Sequence, residues 1–438
     1  MRNITLLGFL ILMLFCKRNL QAQALATGQN FTKIIESKAA ALQEKTVQWR
    51  RHLHQYPELG NREFKTAAYI AKHLRSLGLT IQTGVAYTGI VAVLVGGKPG
   101  PVIALRADID ALPVYERNAL SFCSKDSSDY LGQKLPVMHA CGHDAHTAIL
   151  MATAELLVSM KKDISGTVKF IFQPAEEGAP GTEEGGAKLM VKEGVLQNPK
   201  VDVIFGLHIN SLLNNNLLGY KSGSFMAAAD WVSIKVNGKG SHGSAPWYGV
   251  DPIAVSAQIV QGLQNIVSRQ MELTKAPVVI TIGKIHGGVR QNIIPEFVLL
   301  EGTIRTLDSA MQIDVQKRLK LTAEKIAEAN GASAIVSFDT KTLVTYNTPW
   351  LVTKMLPSLQ KASGSVPLQE MDWTTGAEDF SYFGEKIPSF FFNLGGKPLT
   401  TPKDKAAPHH TPDFYITDDN LQLGVKAFCN LVFDYGKN

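Results

Sequence analysis

Cysteine is scarce in this chain of 438 residues: Cys16, Cys123, Cys141 and Cys429 are all it has. So few, so scattered, make no disulfide framework of the kind that staples small secreted domains. Charge of one sign is scarce too. The chain carries 44 Lys and Arg against 38 Asp and Glu, a formal excess of +6. Three of those bases, Arg2, Lys17 and Arg18, sit in the first 24 residues, which hold no acid. Without them 41 bases face 38 acids, an excess of only +3. Nucleic-acid binding relies on clustered positive charge, so no nucleic-acid partner is expected. Internal repeats and low-complexity tracts are lacking as well, which excludes a solenoid or a disordered chain. With 45% hydrophobic and 19% charged residues, the composition is that of a soluble globular protein with more than one core.

A run of 12 residues, Ile4 to Phe15, is apolar throughout. It follows a short basic start and leads to an A-x-A site at Ala22 and Ala24. That is the pattern of a signal peptide over 1–24. The run is short for a membrane span, although an uncleaved anchor is the alternative. Cys16 suggests a lipoprotein, but the bulky Phe15 before it argues against one. Export to the periplasm or the medium is therefore expected, with no stable membrane span once the leader is cleaved. Cys16 then leaves with the leader. Cys123 and Cys429 are free to form one bridge, which leaves Cys141 as an odd thiol.

The rest of the chain alternates apolar β-rich runs with helical ones. Helices are expected over 33–55, stopped by Pro57, over 63–77, and over 147–160. "GIVAVLVGG", "PVIALRAD", "GTVKFIFQP" and "VDVIFGLHI" read as strands. Short continuous apolar strands between helices predict a mostly parallel sheet flanked by helices. The order then changes to βαββαβ over 228–339, a ferredoxin-like unit. Its first helix places Ile253, Ala257, Val260, Leu263 and Val267 along one face. The α/β pattern resumes with a helix near 349–363, the strand "SFFFNLG" and a helix over 418–434. The expected organisation is thus a catalytic domain in two parts, 30–225 and 340–438, interrupted by an inserted domain at 228–339.

Polar clusters follow several of these strands: Asp108 and Asp110, Glu176 and Glu177, and His208. In open α/β sheets the working crevice lies beyond the carboxyl ends of the strands, so these clusters converge. Cys141-Gly142-His143 is expected in a loop before a helix, where both side chains can face one ion. Thiolate plus imidazole suits zinc or a similar borderline ion. A buried structural Cys and a Cys–His nucleophile pair are the competing readings. Adjacent Glu176 and Glu177 point in opposite directions on extended chain. One can bind a metal while the other serves an open position as a base. Asp144 suits a helix cap or a supporting residue. His208 alone, and the pair His409–His410 alone, are weak signals.

Taken in order, "WRRHLHQYPELG", "ALRADIDALPV", "MHACGHDAHTA", "FQPAEEG", "GLH", "GKGSHGSAP", "RQNIIPE", "GAEDFSYF" and "HHTPDF" resemble the metal-dependent amidohydrolases. That family includes N-acyl-amino-acid deacylases, hippurate hydrolases and plant auxin-conjugate hydrolases. The resemblance runs from about residue 45 to 435. It implies a binuclear site for two divalent ions (zinc, manganese, cobalt or nickel), with Cys141, His143, Glu177, His208 and His410 as ligands and Cys141 bridging. His410 is preferred to His409 because the family pattern is His, a small polar residue, then Pro. The resemblance makes Glu176 the general base and His242 the oxyanion donor, with a homodimer across the lid domain as the way His242 reaches the site. It places Arg290 and Asn292 at the substrate carboxylate or the domain interface, and Asp110 behind the ligands. The implied activity is hydrolysis of N-acyl amino acids, with a dipeptidase or exopeptidase on the same site as the alternative. The polar segment 124–134 is expected to border the site and affect substrate choice.

Overall fold

A computed structural model describes residues 31–437; the expected signal peptide lies outside the described residues. Among those residues no helix is long and apolar enough to cross a membrane. The first helix, 31–55, buries Ile35, Ala39, Trp49 and Leu53 along one side and ends before Pro57. The second, Phe64–Ser76, buries Thr66, Ile70, Ala71 and Leu74, the same three-to-four spacing.

The main sheet has eight strands. Edge to edge they are 80–85, 89–95, 165–173, 98–108, 203–214, 389–397, 218–220 and 369–370. The four central strands pair in parallel. They are continuous apolar runs because helices cover both faces; Phe390, Phe391 and Phe392 are all fully buried. The strand 89–95 joins this block antiparallel, and 80–85, which lacks a continuous apolar run, extends the edge.

The inserted unit is a four-stranded antiparallel sheet in the order 278–287, 297–306, 228–237, 333–342. Helices Pro252–Asn265 and Ser309–Ala329 cover one face, and a separate core forms beneath them. This is the ferredoxin-like strand order, and its last strand runs to Thr342, past the expected limit at 339. The first helix is rotated from the expected face. Val255, Ile259, Leu263 and Ile266 point inward, while Ile253 is exposed. Two apolar stripes compete on that helix. Gly262 settles the choice by letting it approach Ile326 and Thr322 of the second helix.

Cys123, Cys141 and Cys429 are all free, so the possible bridge between Cys123 and Cys429 is not formed. Trp231 and Trp247 of the inserted domain are exposed and take no part in its core.

A buried ionic network ties the first helix to the rest. Arg50 bonds Asp144 (2.9 Å) and Asp418. His54 holds Asp144 through Nδ1 (2.9 Å) and Glu116 through Nε2 (3.1 Å). Burial disfavours charge on His54, but the hydrogen bonds to Asp144 and Glu116 outweigh it and raise its pKa above the ordinary value. The stabilisation this supplies is complete below the ordinary imidazole range, about pH 6.5, and is lost as pH rises through the raised folded value. In urea titrations, His54→Asn is therefore expected to fall furthest behind the wild type on the acid side, with the gap narrowing at alkaline pH. A gap that does not change with pH would show that His54 is not an imidazolium.

Candidate metal centre and active site

The site lies where the parallel strands end. Arg106 pairs with Gly206 across neighbouring strands, so Asp108 and His208 sit two residues farther along, side by side. His208 is inside its strand rather than at its end, because the strand continues to Asn214. Its Nδ1 donates to the Ile209 carbonyl (2.7 Å), which leaves Nε2 as the free donor atom. Nε2 lies 3.4 Å from Cys141 Sγ.

The helix bearing His143 starts earlier than expected, at His143 itself, and runs to Ser159. Cys141 therefore precedes the helix while His143 opens it. Gly142 between them has φ +91°, a left-handed conformation suited to glycine. A Cβ there would stand 2.2 Å from Ile209 Cγ2. The missing side chain thus lets this turn press against the strand carrying His208. His143 Nδ1 bonds the carbonyl (2.9 Å) and side chain (3.1 Å) of Asp110. Asp110 also accepts the Glu177 N–H (3.0 Å), so one carboxylate orients two donors. His143 Nε2 is left buried with no hydrogen-bond partner.

Glu177 Oε1 stands 3.0 Å from His410 Nε2, which in turn is 3.3 Å from Cys141 Sγ. Cys141 thus belongs to two donor groups, one with His143 and His208 and one with Glu177 and His410. Glu176 and Glu177 each approach His143 Nε2 to 3.9 Å.

His409 and His410 are separated by their backbone. His410 has φ +62° and its N–H bonds the Ala140 carbonyl (2.8 Å), and its half-exposed ring presents Nε2 to Glu177 and Cys141. His409 Nε2 accepts the Ser211 N–H (3.2 Å). A neutral ring then carries its proton on Nδ1, 3.6 Å from Cys141 Sγ, where it donates to sulfur. Burial lowers the His409 pKa to about 3, so the ring is neutral. His146 is excluded as a donor in the same way. Its Nε2 accepts the Ile209 N–H (2.7 Å) and its Nδ1 is 2.5 Å from Asp108.

Beneath the donors lies a layer of carboxylates around one guanidinium. Arg106 is fully buried and bonds Gln173 (2.8 Å), Asp108 (2.6 Å), Glu378 (2.9 Å) and Asp379 (3.1 Å). Burial, then Glu378 and Glu177, push the Glu176 carboxyl well above its ordinary range. Burial and the adjacent Glu177 and Glu176 likewise push the Cys141 thiol up. The His143 pKa rises to about 10: burial opposes its charge, but Asp108 and Asp110 prevail. A proton there answers a field with too much negative charge. Divalent cations answer it better, and they need the thiolate and the neutral imidazole that the geometry offers. One sulfur, one carboxylate and three imidazole nitrogens, of which the buried His143 Nε2 has no hydrogen-bond partner, fit two borderline divalent ions. The raised thiol pKa also counts against a free Cys141 nucleophile.

His242, Arg290 and Asn292 are not brought to this cluster. They lie in the inserted domain, where Ser241–His242 pairs with Ile293–Ile294 and Gly243 bonds Asn292. His242 is exposed and its Nδ1 accepts the Ser244 N–H (3.1 Å). Among the described residues none of the three hydrogen-bonds or ion-pairs with a cluster member. The participants that sequence reasoning missed are Arg106, Glu378 and Asp379. "GAEDFSYF" was a signal for two of them, but nothing in the motif says that they meet Arg106.

Two substitutions separate the paired histidines. His410→Ala is expected to lose bound divalent ion, by metal analysis after dialysis, while His409→Ala keeps nearly all of it. Equal loss from both would overturn the distinction.

The sequence matches the description of peptidase family M20/M25/M40 over residues 104–434. It is 38% identical over 403 residues to thermostable carboxypeptidase 1 of Saccharolobus solfataricus, covering 92% of this chain and 98% of that one. To the N-acyl-L-amino acid amidohydrolase of Geobacillus stearothermophilus it is 41% identical over 293 residues, 67% of this chain and 75% of the relative. The crystal structure of a Bacillus subtilis dinuclear metal-binding peptidase of family M20 superposes with a TM-score of 0.75 at 32% identity. That match covers 91% of this chain and 99% of the other. A metal-binding cluster at the strand ends, matched along nearly the whole chain, makes this protein a member of peptidase family M20/M25/M40.

Proposed function

We propose that this protein hydrolyses the amide bond of N-acyl amino acids, releasing a carboxylic acid and a free amino acid. One observation carries the reading: Cys141 is shared by two donor groups beside a buried carboxyl, Glu176, that is not needed by either. Cys141, His143, Glu177, His208 and His410 would hold two divalent ions. Such ions, when bound, polarise the scissile carbonyl and acidify water. Glu176 takes the proton from that water and delivers it to the leaving nitrogen; its raised pKa suits a group that must both accept and release a proton. His242 donates to the oxyanion, and Arg290 and Asn292 meet the substrate carboxylate, once the inserted domain closes over the site.

A homodimer through the inserted domain supports this arrangement. The strand Val278–Gly287 is a sheet edge, and Ile285 on it is exposed. An apolar open edge is suited to pairing with a second copy. Export, from the leader described above, belongs to the same reading.

The segment 124–134 contributes the hairpin Ser127–Tyr130 and Gln133–Pro136. Tyr130 packs on Leu59, Ala111 and Val137, and Ala111 follows Asp110 of the centre. A cavity of about 330 Å³ opens there, lined by Leu59, Tyr130, Leu131 and Pro180 among others. We place the acyl group on this side, because the carboxylate partners lie in the other domain. The carboxypeptidase relative favours a second reading, cleavage of peptides on the same site.

Glu176→Gln is expected to reduce kcat on N-acyl amino acids by roughly 100- to 10,000-fold with metal content unchanged. Wild-type turnover in that variant would refute the mechanism. A panel of N-acetyl, N-benzoyl and dipeptide substrates separates the two readings, since a peptidase would prefer the dipeptides. Leu131→Asp, at an exposed site, is expected to lower the ratio of kcat/KM for N-benzoyl over N-acetyl substrates by roughly 10-fold. An unchanged ratio removes the hairpin from the acyl side.

A further inference from the structure

The loop that presents Glu176 is held in an unusual conformation. Ala175, immediately before it, has φ +49°. Side chains other than glycine rarely adopt that left-handed region, and such conformations persist only where the surroundings enforce them. The Ala175 carbonyl accepts a hydrogen bond from the Gly178 N–H (3.3 Å), which closes the turn. The Ala175 N–H is bound from outside the loop. It donates to Glu63 Oε1 at 2.8 Å.

Glu63 is fully buried, and its placement is odd for a structural acid. It stands at the N-terminal boundary of the helix Phe64–Ser76, where short side chains such as Asp or Ser ordinarily cap the free N–H groups. It makes no such cap. Glu58 instead accepts the Thr66 N–H (2.8 Å) at the start of that helix. The Glu63 side chain is thereby free to reach the loop, with its second oxygen 2.5 Å from Thr88 Oγ1. The packing around Ala175 allows this close approach. A Cβ on Gly60 would come within 3.1 Å of the Ala175 Cα and Cβ atoms, and one on Gly185 within 3.2 Å of its Cβ.

Glu176 itself has few direct tethers. Among the described residues its carboxylate accepts one hydrogen bond, a long one (3.4 Å) from the Asp379 N–H. Its position therefore depends on the backbone that carries it. We infer that Glu63 is a positioning residue for the reaction: with Thr88 it clamps the Ala175 N–H, keeps the turn left-handed and so aims Glu176 at the reacting water. The inference rests on the reading of Glu176 as the base. Burial, then the charge on Asp110, push the Glu63 carboxyl up to about 8. Both Glu63 oxygens accept, one from the Ala175 N–H and one from the Thr88 hydroxyl; a glutamine carbonyl keeps the first contact and its NH2 can donate to the Thr88 oxygen.

The test uses steady-state kinetics on an N-acetyl amino acid with the full, metal-reconstituted protein, and metal content measured in parallel. Glu63→Ala is expected to lower kcat by about 10- to 100-fold with KM and metal content near the wild type, the scale on which small misplacements act. Glu63→Gln is expected to stay near the wild type. Ala175→Gly added to Glu63→Ala should recover much of the loss, because glycine adopts the turn without a clamp. A purely structural Glu63 would not respond to that second change. Wild-type kcat in Glu63→Ala, a loss that follows missing metal, or no recovery with Ala175→Gly each overturns the inference. If Glu63→Ala does not fold, Thr88→Val loosens the same clamp, and an unchanged kcat there has the same force. Should Glu176→Gln remain active, the reading of the base fails; should it be inactive while Glu63→Ala is unaffected, only the role of Glu63 fails.

Discussion

The interaction on which the rest depends is the crowding of buried carboxylates around one guanidinium. Asp108, Glu378 and Asp379 all contact Arg106, and Asp110, Glu176 and Glu177 stand close above them. Removing one member of such a buried set is costly, on the order of 3–5 kcal/mol, because its partner is left uncompensated. One arginine cannot neutralise them all. Burial and the excess negative charge together raise the pKa of Glu176 and Cys141, and against its burial the same charge raises that of His143. The same excess makes the centre a place for divalent cations. Stability and chemistry are thus two consequences of one charge imbalance.

Three departures from ordinary backbone geometry turn this imbalance into a site. Gly142, Ala175 and His410 all have positive φ. The first aims Cys141 and His143 at a common point, the second precedes Glu176 and Glu177, and the third separates the ring of His410 from that of His409. Each is enforced by contacts from a different part of the chain: Ile209, Glu63 and Ala140. Strain of this kind gathers where side chains must be aimed rather than merely packed.

The division of labour between the two sheets follows from their cores. The parallel sheet has helices on both faces and a continuous apolar interior, which makes a rigid base for the donors. The antiparallel sheet has helices on one face only and its own small core. The same domain carries His242 on, and Arg290 and Asn292 beside, a separate two-stranded sheet, Ser241–His242 with Ile293–Ile294, without hydrogen bonds to the donors. Catalysis as proposed then requires closure of the inserted domain or a second copy.

Much of the fold was legible because burial writes itself into local pattern. The apolar runs at 101–108, 166–174, 201–209 and 389–395 read as strands covered on both faces, and the βαββαβ order marked the inserted unit. The rotated face of the helix Pro252–Asn265 was not legible, since two apolar stripes were equally good until a neighbouring helix chose one. The donor types were legible in part: Cys141, His143 and Glu177 stand in motifs whose chemistry suits cations, whereas His208 and His410 were weak signals alone and entered through the family resemblance. Residue type alone does not exclude His146 or His409, and the preference for His410 came from the family pattern. The tertiary structure supplies the physical reason, because a ring nitrogen can bind a metal only if no backbone N–H has already claimed it. Ile209 and Ser211 make that claim, and both lie on a strand far from either histidine in sequence. The sequence by itself thus determined which elements form and which atoms can bind a cation. Which of those atoms remain free to do so was decided by long-range hydrogen bonds, and no local pattern encodes them.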